Sequence, residues 1–182
     1  MSDRDEASAL LNDVQGIETR VRQLIIYARI SDYLFLWGAI WLVGYTGNYF
    51  LRSSSNTMWL VLQAIGLAGT VIIARYATRR VPNGLVVVAR AALSVIAVVG
   101  FGSLWIKLLG MGWREQVTFW PTLLSFILFL IGLWAGRALS LWAVAVFALS
   151  LTGYFVAGNY LHLWMAVAVG GAMLAGGFWL RR

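Results

Sequence analysis

Six long apolar runs, at 33–51, 58–74, 88–106, 118–136, 138–157 and 160–180, follow a more polar stretch of about thirty residues. Each run approaches the ~20 helical residues that cross the hydrocarbon core of a bilayer. The pattern predicts an all-α membrane protein. A cytoplasmic amphipathic helix over 1–31 should precede a six-transmembrane-helix bundle over 32–182, built as three hairpins. The widest connections, 75–87 with its Pro82-Asn83-Gly84 turn and 107–117, are too short for a soluble domain. Pro121 falls in the expected first turn of the fourth membrane helix, where its missing N–H is easily tolerated.

The N-terminal segment has its own period. Ala7, Leu10, Val14, Ile17, Val21, Leu24 and Ala28 recur at alternating spacings of three and four, which makes one apolar seam. Ser2 and Asp5 resemble a capping box, and Asp3, Asp5 and Glu6 suit the positive end of a helix. Gly16 weakens the helix by about 1 kcal/mol relative to Ala. Ser31-Asp32 reads as a second cap, marking a bend where this arm meets the membrane. Three surfaces can cover the seam: the inner leaflet or the bundle itself, a partner protein, or a second copy in a homo-oligomer. A parallel self-pairing would oppose Asp13 to Glu18, which disfavours it.

A gapless shift of 105 residues aligns Leu36-Trp37 with Leu141-Trp142, Tyr49-Phe50 with Tyr154-Phe155, Trp59 with Trp164 and Gly66 with Gly171. This suggests a repeat of 36–77 in 141–182, and in transporters solute sites lie at such repeat interfaces. Many of the 19 glycines fall inside the apolar runs. Gly66, Gly132, Gly136 and Gly171 are expected at helix contacts, because lipid gives no hydrophobic reward for helix pairing and close backbone approach must supply the attraction. The last run is so rich in small residues that it could slide or gate.

Composition agrees with a membrane protein: 61% of residues are apolar and 12% charged, against about 25% charged in soluble domains. Arg4, Arg20, Arg22, Arg29, Arg75, Arg79, Arg80, Arg90, Arg137, Arg181 and Arg182 fall on one side of the alternating runs. Arg52, Lys107 and Arg114 fall on the other. The positive-inside rule then places both termini in the cytoplasm of a cell (inner) membrane protein. It also accounts for the net charge of +7 without nucleic acid. The first thirty residues hold no short apolar signal region, so the first run is expected to be an uncleaved anchor. Trp37, Trp134, Trp142 and Trp179 fall near the inner interface, and Trp59, Trp105, Trp113, Trp120 and Trp164 near the outer one. They suit membrane anchoring, with a stacking cage for a cation or flat ligand as the alternative.

Chemistry is sparse. The absence of cysteine excludes disulfides, thiolate metal sites and cysteine nucleophiles. The apolar runs hold no carboxylate for proton coupling, and His162 is the sole histidine. Neither a catalytic set, a metal nor a cofactor is expected. Gln63, Ser94, Ser103, Thr122 and Ser125 should hydrogen-bond neighbouring helices. Arg52, Lys107, Arg114 and His162 could surround an outer site for an anion or a lipid headgroup. An enzyme would have only His162, Arg114 and Glu115 to work with.

The expectation is therefore a non-enzymatic, multi-spanning membrane protein acting through a cytoplasmic or membrane protein partner, as an accessory subunit, tether or sensor. Leu10, Val14, Ile17, Val21 and Leu24 would be the anchors of that contact. The alternative is a small transporter or channel for a neutral or anionic solute. The cysteine-free background makes the orientation testable. Single cysteines at Ser54, Gly112 and Gly158 should react with an impermeant thiol reagent applied outside intact cells, and one at Asn83 should not; the opposite pattern inverts the topology.

Overall fold

A computed structural model describes residues 27–28, 30–51, 55–78 and 84–181, all but the turns helical and without a strand among them. The seam anchors of the arm, and Arg52, lie outside the described residues. The helices are α1 (30–50), α2 (Ser55–Thr78), α3 (Gly84–Leu108), α4 (Trp113–Ala135), α5 (Arg137–Val156) and α6 (Gly158–Leu180). Five of them, α2 to α6, are long and apolar enough to cross a membrane. Helices satisfy every backbone group within the segment, which hydrocarbon demands. Large apolar side chains such as Leu60, Leu93 and Phe155 face outward, as a lipid-bathed surface requires.

The first helix departs from the expected set of equal spans. Asp32, Asn48 and five Tyr or Trp residues (Tyr33, Trp37, Trp41, Tyr45 and Tyr49) make α1 less apolar than the others. It is nevertheless central, with Leu34, Ile40, Trp41 and Tyr45 buried. It runs antiparallel to α2, where Trp37 meets Gly66 and Gly44 meets Trp59, and antiparallel to α6, where Gly38 meets Met173 and Leu42 meets Gly170.

The root of α1 also corrects the expected cap at Ser31-Asp32. Residues 30–32 are already helical. Ser31 is buried and its hydroxyl donates to the Gly177 carbonyl at 2.7 Å, while Asp32 pairs with Arg181. These side chains are spent on α6 rather than on starting a helix. They tie the beginning of α1 to the end of α6, and this end of the bundle is the root end below.

Two hairpins are locked by the same reciprocal device. In α1–α2, the Trp37 ring fills the notch at Gly66 and the Trp59 ring fills that at Gly44. In α5–α6, Trp142 fills Gly176 and Trp164 fills Gly153. Two of the indoles also donate across the interface, Trp37 to the Thr70 hydroxyl at 3.3 Å and Trp164 to the Leu149 carbonyl at 2.9 Å. A glycine opens the notch, and the flat ring supplies the contacts that aliphatic interdigitation would otherwise give. Between Trp164 and Gly176, α6 widens into a π-helical segment, Ala166–Gly171. α4 and α5 are joined by the single non-helical residue Gly136, at φ 145°, where L side chains are strained. Tyr27 packs against it, and Gly132 meets the Ser140 backbone just before the turn.

Neighbouring glycines in α6 differ sharply. A Cβ on Gly170 would sit 2.7 Å from the Leu42 backbone nitrogen, whereas one on Gly171 would meet only Val167 at 4.0 Å. Gly170→Ala should therefore destabilise the detergent-solubilised protein by about 1–3 kcal/mol. Gly171→Ala should stay within about 0.5 kcal/mol of the wild type. Thermal unfolding of the two variants side by side is the check; equal melting would mean α1 does not press on α6 at Gly170.

Candidate functional site

The cavity-forming end of the bundle is organised around a proline. α4 begins at Trp113, five residues before the apolar run that announced it, so Pro121 lies inside the helix rather than in its first turn. A proline there cannot donate to the carbonyl four residues back, at Val117. That carbonyl is satisfied from another helix: the buried Tyr45 hydroxyl of α1 donates to it at 2.8 Å. The early start of α4 has local causes. Glu115 suits a helix N-terminus, and the Gln116 side chain donates to the Met111 carbonyl at 2.7 Å across the entering turn. The expected loop over 107–117 shrinks to 109–112, with Gly110 left-handed at φ 58°.

Beside this junction lies a cavity of about 480 Å³. From α1 come Trp41, Tyr45 and Asn48, and from α2 come Asn56, Trp59 and Gln63. α3 contributes Ser103, Ile106 and Lys107. α4 contributes Trp113, Gln116, Val117 and Trp120, and α6 adds His162. The volume lies within the ~300–1,000 Å³ of small-molecule sites. Trp113 and His162 stack with planes 6° apart and ring centres at 5.3 Å, and Trp59 lies edge-on to both Trp41 and Tyr45. The Trp120 ring is held by the notch at Gly102 of α3, which fixes one wall.

The polar groups of this wall are only partly committed. Tyr45 and Gln116 serve the backbone as described, whereas the side chains of Asn56, Gln63, Ser103 and Lys107 make no hydrogen bond among the described residues. The Trp41 indole N–H is buried and has no acceptor among the described residues. Ser94 and Thr122, in contrast, turn back to carbonyls of their own helices. An unmatched donor inside a bundle costs about 1–3 kcal/mol. Trp41 therefore marks a place where burial alone does not account for the side chain.

Three of the four residues expected to form an outer site, Lys107, Arg114 and His162, are among the described residues. Lys107 and His162 reach the cavity wall. Arg114 turns away: it donates to the Tyr154 carbonyl at 2.7 Å and lies over the Tyr154 ring at 5.5 Å, closing the C-terminal end of α5. Glu115 accepts from the Tyr154 hydroxyl at 3.3 Å, and His162 stacks on Trp113. Arg52 is outside the described residues. Trp41, Tyr45, Asn48, Asn56 and Gln116 were not singled out from sequence. Their signal was helical spacing: 41, 45 and 48 on α1, 56, 59 and 63 on α2, and 113, 116 and 120 on α4 each mark one stripe. Among the described residues, no group of three or more His, Asp or Glu is placed to hold a metal.

The fold defines an all-α, multi-pass membrane protein with a polar, aromatic-walled cavity at one end of its bundle. No family model, curated protein or solved structure matches the chain.

The proline junction gives a direct test. Tyr45→Phe strands the Val117 carbonyl and should cost about 1–3 kcal/mol. Pro121→Ala restores a helical N–H to that carbonyl, so the double variant should recover at least half of the loss in a thermal or denaturant melt. Strictly additive losses would show that the two residues do not share this carbonyl.

Proposed function

We propose that the chain is a six-span membrane protein, with α1 as the sixth span and both termini in the cytoplasm of the cell membrane. Its outer-facing cavity binds a small neutral or anionic solute, as a carrier or channel does. The observation that carries this reading is the cavity of about 480 Å³, in which Gln63 and Ser103 present polar groups from membrane-spanning helices without protein hydrogen-bond partners among the described residues. Polar side chains within spans are expensive unless matched, so an aqueous or solute-filled space is their natural counterpart. The cavity lining carries one ammonium and no carboxylate, which favours neutral or negative solutes and gives acid–base chemistry little purchase.

The arm supports a second, compatible role. Its root is held to the bundle by Ser31, Asp32 and Tyr27, so whatever lies N-terminal leaves from a fixed point. In this reading Leu10, Val14, Ile17, Val21 and Leu24 face a cytoplasmic protein partner.

One experiment addresses both roles. In the cysteine-free chain, Ser103→Cys should react with an impermeant methanethiosulfonate added outside. Gly100→Cys, nearly one turn deeper on α3 and with no neighbour within 4 Å, should not, because it faces lipid. Deleting residues 1–24 should leave that labelling unchanged and strip co-purifying proteins. An unreactive Ser103→Cys overturns the water-accessible cavity, and unchanged co-purification overturns the arm contact.

A further inference from the structure

The hydrogen-bonding inventory of the cavity wall is one-sided. The indoles of Trp41, Trp59, Trp113 and Trp120 can only donate, and so can the Lys107 ammonium. No lining side chain can only accept, because no carboxylate is among them. The carboxamides and the Ser103 hydroxyl can serve either way and do not alter this excess. A ligand that matches such a wall must be rich in acceptors, and the one cation sets its charge near minus one.

The aromatic surfaces decide where that charge goes. Trp41, Tyr45, Trp59, Trp113, Trp120 and His162 surround the space with rings. The faces of indole and phenol rings carry negative potential and repel an anion, but a flat neutral body packs against them well. A ligand with its charge at one end and an unsaturated ring at the other satisfies both demands. Lys107 is exposed on the last turn of α3, towards the mouth, whereas Trp41 is 6% exposed within the core. The charged end therefore belongs at the mouth and the ring inside.

We infer that the cavity takes a small organic monoanion with a flat, unsaturated body, such as an aromatic carboxylate, its carboxylate at Lys107 and its ring among the tryptophans. This rests on the reading of the cavity as a solute site and narrows that site to one chemical class. The same acceptor-rich end could come from a lipid phosphate, so the test separates the two sources.

Isothermal titration of the full chain in neutral detergent would use 2-naphthoate, its alcohol isostere 2-naphthalenemethanol, the cation 2-naphthylmethylammonium and glycerol 3-phosphate. Naphthoate should bind at least ten-fold tighter than the other three. Lys107→Gln should remove most of the preference for naphthoate over the alcohol, and Lys107→Arg should keep it. Trp41→Leu, which removes a ring from the inner wall, should weaken naphthoate and its alcohol alike by several-fold, whereas Trp41→Phe, which keeps a ring there, should change naphthoate binding by less than about two-fold. Lys107 is exposed, so its variants should fold, and a thermal melt verifies this. Equal binding of naphthoate and its alcohol, or tightest binding of the cation, overturns the inference and leaves a solute cavity standing. Glycerol 3-phosphate binding as tightly as naphthoate overturns it in favour of a lipid headgroup. Binding by none of the four overturns both the inference and the solute cavity.

Discussion

One hydrogen bond, from the Tyr45 hydroxyl to the Val117 carbonyl, ties α1 to α4 at the cavity end of this bundle. Pro121 interrupts the backbone ladder of α4 and leaves Val117 without its helical donor. Inside the bundle that carbonyl is answered from α1, by the buried Tyr45 hydroxyl, in place of the missing helical N–H. The consequence is geometric: α1 must stay within hydrogen-bond reach of α4 at a fixed height. That height places Trp41 and Asn48, on either side of Tyr45, along the same wall as Trp113, Gln116 and Trp120.

The central position of α1 follows from its composition as much as from its contacts. A helix carrying five Tyr or Trp side chains and Asn48 gains less from lipid than its neighbours do, and more from partners that offer notches and carbonyls. Glycines supply the notches. Gly44, Gly66 and Gly176 each admit the edge of an indole, and Gly38 and Gly170 let the α1 and α6 backbones close on each other. Three of the polar and aromatic residues that make α1 a poor span by hydropathy, Trp41, Tyr45 and Asn48, also line the cavity.

Much of the scaffold was legible in advance. Apolar runs located α2 to α6, because hydrocarbon imposes a length that few other constraints mimic. Their ends were less legible: the start of α4 over Trp113–Val117 is polar and looks like loop until Glu115 and Gln116 are seen to serve the helix N-terminus. The cavity was hidden for a different reason. Each stripe of Trp, Asn or Gln, alone on its helix, has the composition of an interfacial belt, and only the closing of α1, α2, α3, α4 and α6 around one space separates the two. Glycine partners were misregistered by about one helical turn. The shift that pairs Trp37 with Trp142 matches Gly66 to Gly171, but the notch used by Trp142 is at Gly176. The shift that pairs Trp59 with Trp164 likewise matches Gly44 to Leu149, but the notch used by Trp164 is at Gly153, so the two hairpins close in different registers.

The single-residue link between α4 and α5 bears on how the protein comes to be in a membrane at all. With only Gly136 between Ala135 and Arg137, no hydrated loop exists to hold α4 across the bilayer while α5 is still being made. A chain threaded one span at a time would have to stop with Arg137 at the boundary and the Gly132 notch facing lipid, unfilled by the Ser140 backbone. The two helices are better delivered as one folded pair, with Ser140 already seated, so that insertion and the first tertiary contact become the same event.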